Sequence, residues 1–301
     1  MSGVFRGRTS RRRALGGAAV CALALLAVPG CSADDDGRKD RAGGTTAADR
    51  RDGNGVEDLS AREISDRAKQ ELLDAKSVHI AVRETGADAT RDASPDADPS
   101  PDSDADIEAD DPTSMDLTLD RDGNCVGSMK MAGGASLELV KRGDKVWMKP
   151  DEQFWTTQIP GGEGEAAAEI FKNRWVHGTT GDAMLKDIAG VCDLGEIQRD
   201  IADDADDSDD SDDDGKTLKK GEPTTQDGMP VIPLTGTDDG KETTLYVATE
   251  GKPYLVKAVE KGDGDDTTTT FSAYDEPVPT KTPSADESVD VSKLQEQLQK
   301  T

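Results

Sequence analysis

The chain has 301 residues, 63 of them acidic and 36 basic, for a formal charge of −27. A surface this acidic repels nucleic acid and anionic lipid headgroups and argues against both as direct partners. The 3% aromatic content and two histidines leave little for base stacking or imidazole chemistry.

The N-terminus is the exception to the acidity. Arg11, Arg12 and Arg13 precede an uncharged run over residues 14–29 that stops at Val28-Pro29-Gly30-Cys31. A basic start, a short apolar stretch and small residues at the break make residues 1–30 a secretory signal, because a membrane span needs about 20 apolar residues. Small residues just ahead of a cysteine form a bacterial lipobox. Processing there would put diacylglycerol on Cys31 and cut before it, and two buried acyl chains, at roughly 0.8 kcal/mol per CH₂, anchor stably. The run Ser10 to Leu15 also resembles a twin-arginine export signal. A plain signal peptide with an incidental cysteine is the alternative, and Cys21, lying mid-run, is the weaker acylation site. The removed segment holds five arginines and no acid, so the exported chain is more acidic still. The expected location is the extracytoplasmic face of the cell membrane, held there by the lipid anchor.

Residues 31–58 form a polar linker; residues 86–113, rich in Asp, Ser and Pro, and residues 203–215, nearly all Asp and Ser, are acidic inserts. Such segments bury too little to offset their ordering entropy and are expected to be disordered. One domain remains, over 59–277, followed by a tail at 278–301. Beyond the signal and the anchor only Cys125 and Cys192 are left. In an exported domain the two are expected to pair as a disulfide, with two free buried thiols as the alternative.

Ser60 and Glu63 form a capping box, and Ile64, Ala68, Leu72 and Ala75 recur at helical spacing, which predicts a helix over 60–76. From Val78 the period becomes two, through Ile80 and Val82, and after the first insert Met115, Leu117 and Leu119 resume it. Asp120-Arg121-Asp122-Gly123-Asn124 turns the chain, and strands follow at 125–131, 135–142 and 145–149. Two short helices are expected at 166–175 and 183–191. Strands return at 231–234, with Pro233 favouring an edge, then at 243–249 and 254–260 as a hairpin, and at 267–274. A weak helix is expected around Val291, Leu294 and Leu298. This order predicts an α+β fold, one large curved antiparallel sheet with helices packed on its concave face.

Catalytic motifs are missing. His79 is expected on the polar side of a strand, and His177 in a loop after a helix, where a dipole contact would account for it. No nucleophile elbow, His-Glu-x-x-His or Cys-x-x-Cys occurs. Gly215-Lys216-Thr217 lacks the upstream glycine of a phosphate loop. Asp210, Asp212, Asp214 and Gly215 open like an EF-hand loop, but its twelfth position is Gly221, so a solvated acidic loop is the better reading. No cofactor, metal site or catalytic residue is expected. The aromatic residues are scattered and form no ladder for sugars or bases.

Gly143-Asp144-Lys145-Val146-Trp147-Met148-Lys149 with Phe154-Trp155, Leu245-Tyr246-Val247 with Gly251-Lys252-Pro253-Tyr254-Leu255-Val256-Lys257, and the run from Phe271 through Val278 carry a resemblance. With the lipobox and the 60–76 helix, they make the chain look like the LppX/LprG-type lipoproteins, related in fold to LolA and LolB. The resemblance covers most of 59–280 and implies a half-barrel of about eleven antiparallel strands closed by helices over a hydrophobic cavity. It also implies a monomeric, membrane-anchored binder or carrier of lipid or acyl chains, without enzymatic activity. No site residue carries over, so the ligand-binding residues are left open. The acidic inserts and the expected Cys125–Cys192 bridge depart from the family. A surface lipoprotein of the same fold with a filled core, working through protein contacts, is the alternative.

Overall fold

A computed structural model describes residues 53–86, 112–159, 162–206, 218–238, 241–262 and 265–291. The signal segment 1–30, Cys31 and the acidic loop at 210–215 lie outside them.

Helix α1 (Ala61–Asp74) begins at the expected capping box: the Ser60 N–H donates to Glu63 Oε2 (2.9 Å) and the Glu63 N–H to Ser60 Oγ (3.3 Å). Strands β1 (Ser77–Gly86), β2 (Pro112–Asp120), β3 (Cys125–Met131), β4 (Ser136–Arg142) and β5 (Lys145–Pro150) follow as a meander. Asp120 sets the β2–β3 turn, its Oδ1 accepting from the N–H groups of Asp122 and Asn124, while Gly123 takes φ 75°. Next come α2 (Glu152–Gln158), α3 (Gly162–Phe171), β6 (Trp175–Thr179), α4 (Ala183–Gly190) and α5 (Leu194–Asp206). The rest is strand: β7 (Lys219–Lys220), β8 (Thr224–Gln226), β9 (Met229–Asp238), β10 (Lys241–Ala248), β11 (Leu255–Gly262), β12 (Asp265–Ser272) and β13 (Ser288–Asp290).

All strands join one open, curved sheet in the order β13-β6-β5-β4-β3-β2-β1-β12-β11-β10-β9-β7, with β8 also on β9. The helices cover its concave face. The main core lies between β1–β6 and α2–α5, and a smaller cluster places Ile64 and Ala68 of α1 on Ile232, Leu234 and Val247. Pro233 falls where the outer partners β7 and β8 leave a gap along β9, so its missing N–H costs no ladder bond.

The structure corrects several expectations. The sheet has 13 strands rather than about eleven, and it is mixed, because β13 runs parallel to β6. Residues 278–291 are therefore no tail: Val278 and Val291 are buried, and the Arg142 guanidinium holds the Pro279 carbonyl. Residues 53–58, read as linker, are packed, with Val56 buried and Asn54 Nδ2 donating to the Ala248 carbonyl (2.9 Å). The expected helix at 166–175 ends at Phe171, and Trp175 opens β6. Helix α5 extends to Asp206, into the segment 203–215 that is expected to be disordered.

Candidate ligand-binding face

The helical cover is fastened at one end of the sheet. Cys125, at the start of β3, is joined to Cys192 between α4 and α5, with Cα atoms 5.6 Å apart. Gln198 of α5 donates through Nε2 to the Leu72 (2.8 Å) and Ala75 (3.0 Å) carbonyls, satisfying acceptors at the end of α1, and its Oε1 accepts from Arg121 Nε (3.0 Å). Lys141 is buried beside them, its Nζ donating to the Gly123 carbonyl (2.9 Å). Burial pushes its pKa down, and the nearby carboxylates of Asp193 and Asp120 push it back up.

From that end the cover thins along the strands. On the concave side of β1, exposure is 0% at Val78 and 9% at Ile80, and Val82 beyond them is only half-buried. On β2 the same sequence runs from 1% at Leu119 and 3% at Leu117 to half-buried Met115. The register pairs Val82 with Met115 on one side and with Thr269 of β12 on the other, and Phe271 beside Ile80 is also half-buried. One row further out the face turns polar, with Glu84 opposite Thr267 and Thr267 opposite Glu260. An apolar strip at the centre of the sheet is thus left partly uncovered, between a sealed end and a polar rim.

Beside this strip large side chains are buried between the helices and the sheet. Asp151 caps α2 by accepting from the Phe154 N–H (2.8 Å) through Oδ1, and its Oδ2 accepts from the N–H (2.8 Å) and Oγ (2.6 Å) of Ser136. One carboxylate therefore starts the helix and ties it to β4. Trp155, Phe171, Leu185 and Leu194 are all buried under α2–α5, with the Trp155 and Phe171 rings 5.4 Å apart. Gly164 lets α3 lie against α2, because a Cβ there would meet the Ile159 carbonyl oxygen at 2.3 Å.

The two histidines lie elsewhere. On the outer face of the sheet, His79 Nδ1 is 2.9 Å from Ser272 Oγ and Nε2 is 3.0 Å from Asp116 Oδ1. Sequence reading gave His79 no such partners, because the strand register brings them from far along the chain. Ser272 and Asp116 are exposed on an open face, and the strand on either side is paired into the ladder, so the trio forms a cross-strand polar row without a cleft. His177 is not in a post-helix loop but in β6, opposite Trp147. The aromatic residues include one stacked pair that sequence reading missed, Tyr254 on Tyr274, with centroids 4.0 Å apart. The Tyr274 hydroxyl donates to the Leu255 carbonyl (2.7 Å), and burial raises its pKa.

Among the described residues no cluster of three metal-ligating side chains occurs, and no helix is long and apolar enough to cross a membrane.

No family model and no curated protein matches the chain. Solved structures similar to it include the Mycobacterium tuberculosis lipoprotein LppX, at 16% identity over 73% of this chain and 98% of that one, with a TM-score of 0.42. LprF from Mycobacterium bovis is 13% identical over 75% of this chain and 97% of its own, with a TM-score of 0.46. An uncharacterized conserved protein from Thermus thermophilus is 12% identical over 77% and 99%, with a TM-score of 0.26. At these identities and TM-scores the likenesses carry no argument about activity.

Proposed function

We propose that the chain is an exported lipoprotein, anchored through acylated Cys31, that binds a lipidic ligand as a monomer and without chemistry. The observation that carries this reading is the loss of cover along β1 and β2, from sealed Val78 and Leu119 to half-buried Val82 and Met115. An acyl chain laid on that strip would gain roughly 25 cal/mol per Å² of apolar surface buried. The lipobox supports the reading from another side, since a protein held at a bilayer works where such a ligand is supplied. Native mass spectrometry of the full chain carrying Cys31→Ala, after exposure to membrane extract, should detect a bound acyl lipid. Its absence after every extract would contradict the proposal.

The buried side chains packed under α2–α5, Trp155 and Phe171 among them, favour a second reading, a surface lipoprotein acting through protein contacts. On that reading no extract yields a lipid adduct.

A further inference from the structure

The sheet is continuous beneath the helices, but the core above it is in two parts. One packs β1–β6 against α2–α5, and the other packs Ile64 and Ala68 of α1 on β9 and β10. Between them a cross-strand row on the concave face runs Met115, Val82, Thr269, Ala258 and Leu245, each paired with the next. All five are half-buried. The row is closed at both ends. Met115 pairs with buried Met129 of the first core, and Leu245 with buried Leu234 of the second. Within the row, Ala258 belongs to neither core among the described residues. Ala258 and Thr269 are also its smallest side chains, so the row dips between Val82 and Leu245.

The neighbouring rows fix a direction. One row inward Leu117 and Ile80 are buried, and one row outward Glu84, Thr267 and Glu260 are polar. A hydrocarbon therefore gains most cover by lying along the row, across the strands, rather than along β1 or β2. The row crosses β2, β1, β12, β11 and β10, and its four spacings of about 4.8 Å span roughly 19 Å. Single C–C bonds of about 1.5 Å advance an extended hydrocarbon by about 1.3 Å per carbon, so a chain of about 16 carbons fills the row.

We infer that the site seats one extended acyl chain of about 16 carbons, laid across these five strands in the gap between the two cores. This rests on the lipid-binding reading above and adds the direction and length of the chain that is bound. Buried side chains stop the row at both ends, so the seat measures its ligand.

The test titrates saturated monoacylglycerols, from about eight to about twenty carbons, into the full chain carrying Cys31→Ala, with and without Ala258→Phe. The probes are uncharged because Glu84 and Glu260 flank the row. In the parent, each added CH₂ should raise affinity about two- to fourfold up to about 16 carbons, and further CH₂ groups should add nothing. Ala258→Phe lays a ring across the row and leaves only the stretch from Met115 to Thr269, so the gain should stop at about eight carbons, with short-chain affinity kept. A parent profile that breaks elsewhere or never breaks overturns the cross-strand seat while lipid binding stands. So does a profile left unchanged in a folded Ala258→Phe protein. If no chain binds at any length, the lipid-binding reading falls and the seat with it. The parent profile needs no substitution in the row, so it decides the matter even where Ala258→Phe does not fold.

Discussion

Single residues hold the concave face in shape. A Cβ at Gly127 would lie 1.9 Å from the Asp116 carbonyl oxygen and 2.8 Å from Leu117 Cδ2, so β3 can approach β2 there only without a side chain. Gly127→Ala should destabilise by about 2–3 kcal/mol, at the upper end of overpacking costs, read as a lower urea midpoint. Two serine–glutamate pairs make a pH-dependent contribution. The Ser60 hydroxyl and N–H hold Glu63, and those of Ser284 hold Glu287, both below the ordinary value of 4.5. A depressed folded pKa means that the contribution is present above 4.5 and lost as pH falls through the folded values. Thermal unfolding followed against pH should show the parent losing its advantage over Glu63→Gln/Glu287→Gln on that acid limb and keeping it at neutral pH. The Ser60 box was legible because its signature is local. The contact of Trp155 with Phe171 was not, because it arises only when α2 and α3 come together.

At the scale of elements, the disulfide fastens the helical cover to the sheet. It closes a separation of 67 residues, worth about 4 kcal/mol on the chain-entropy model. Cys125→Ser/Cys192→Ser should lose about that much stability, and hydrogen exchange in α4 and α5 should rise more than in β9–β11. Strands β1–β5 and the β10–β11 hairpin could be read from alternation and turn residues, since one face is buried and the turns are short. Helix α2 could not, because seven residues are too few to show a helical period and Asp151 was not recognised as its cap. Helix α5 did carry a signal that was passed over: Asp193 Oδ1 accepts from the Glu196 N–H (2.9 Å), while Leu194, Ile197 and Ile201 lie on one helical face. Its acidic composition hid that spacing. Strands β6 and β13 depend on each other across more than a hundred residues, and no local pattern announces such a parallel pair.

For the whole molecule, the proposed anchor Cys31 and the proposed binding face on β1 and β2 lie in separate parts of the chain. Cys31→Ala should release the protein from the membrane fraction while leaving lipid affinity unchanged, measured by fractionation and by titration with an acyl lipid. A fall in affinity would give the anchor a part in binding. The central claim is that the uncovered strip on β1 and β2 receives the lipid, and a charge placed there tests it most directly. Titrating the same acyl lipid into the full chain carrying Cys31→Ala, with and without Met115→Asp, compares an apolar floor with a charged one. The account predicts saturable binding that Met115→Asp weakens at least tenfold, with the fold retained by circular dichroism. Binding that is undiminished by a folded Met115→Asp protein would contradict it.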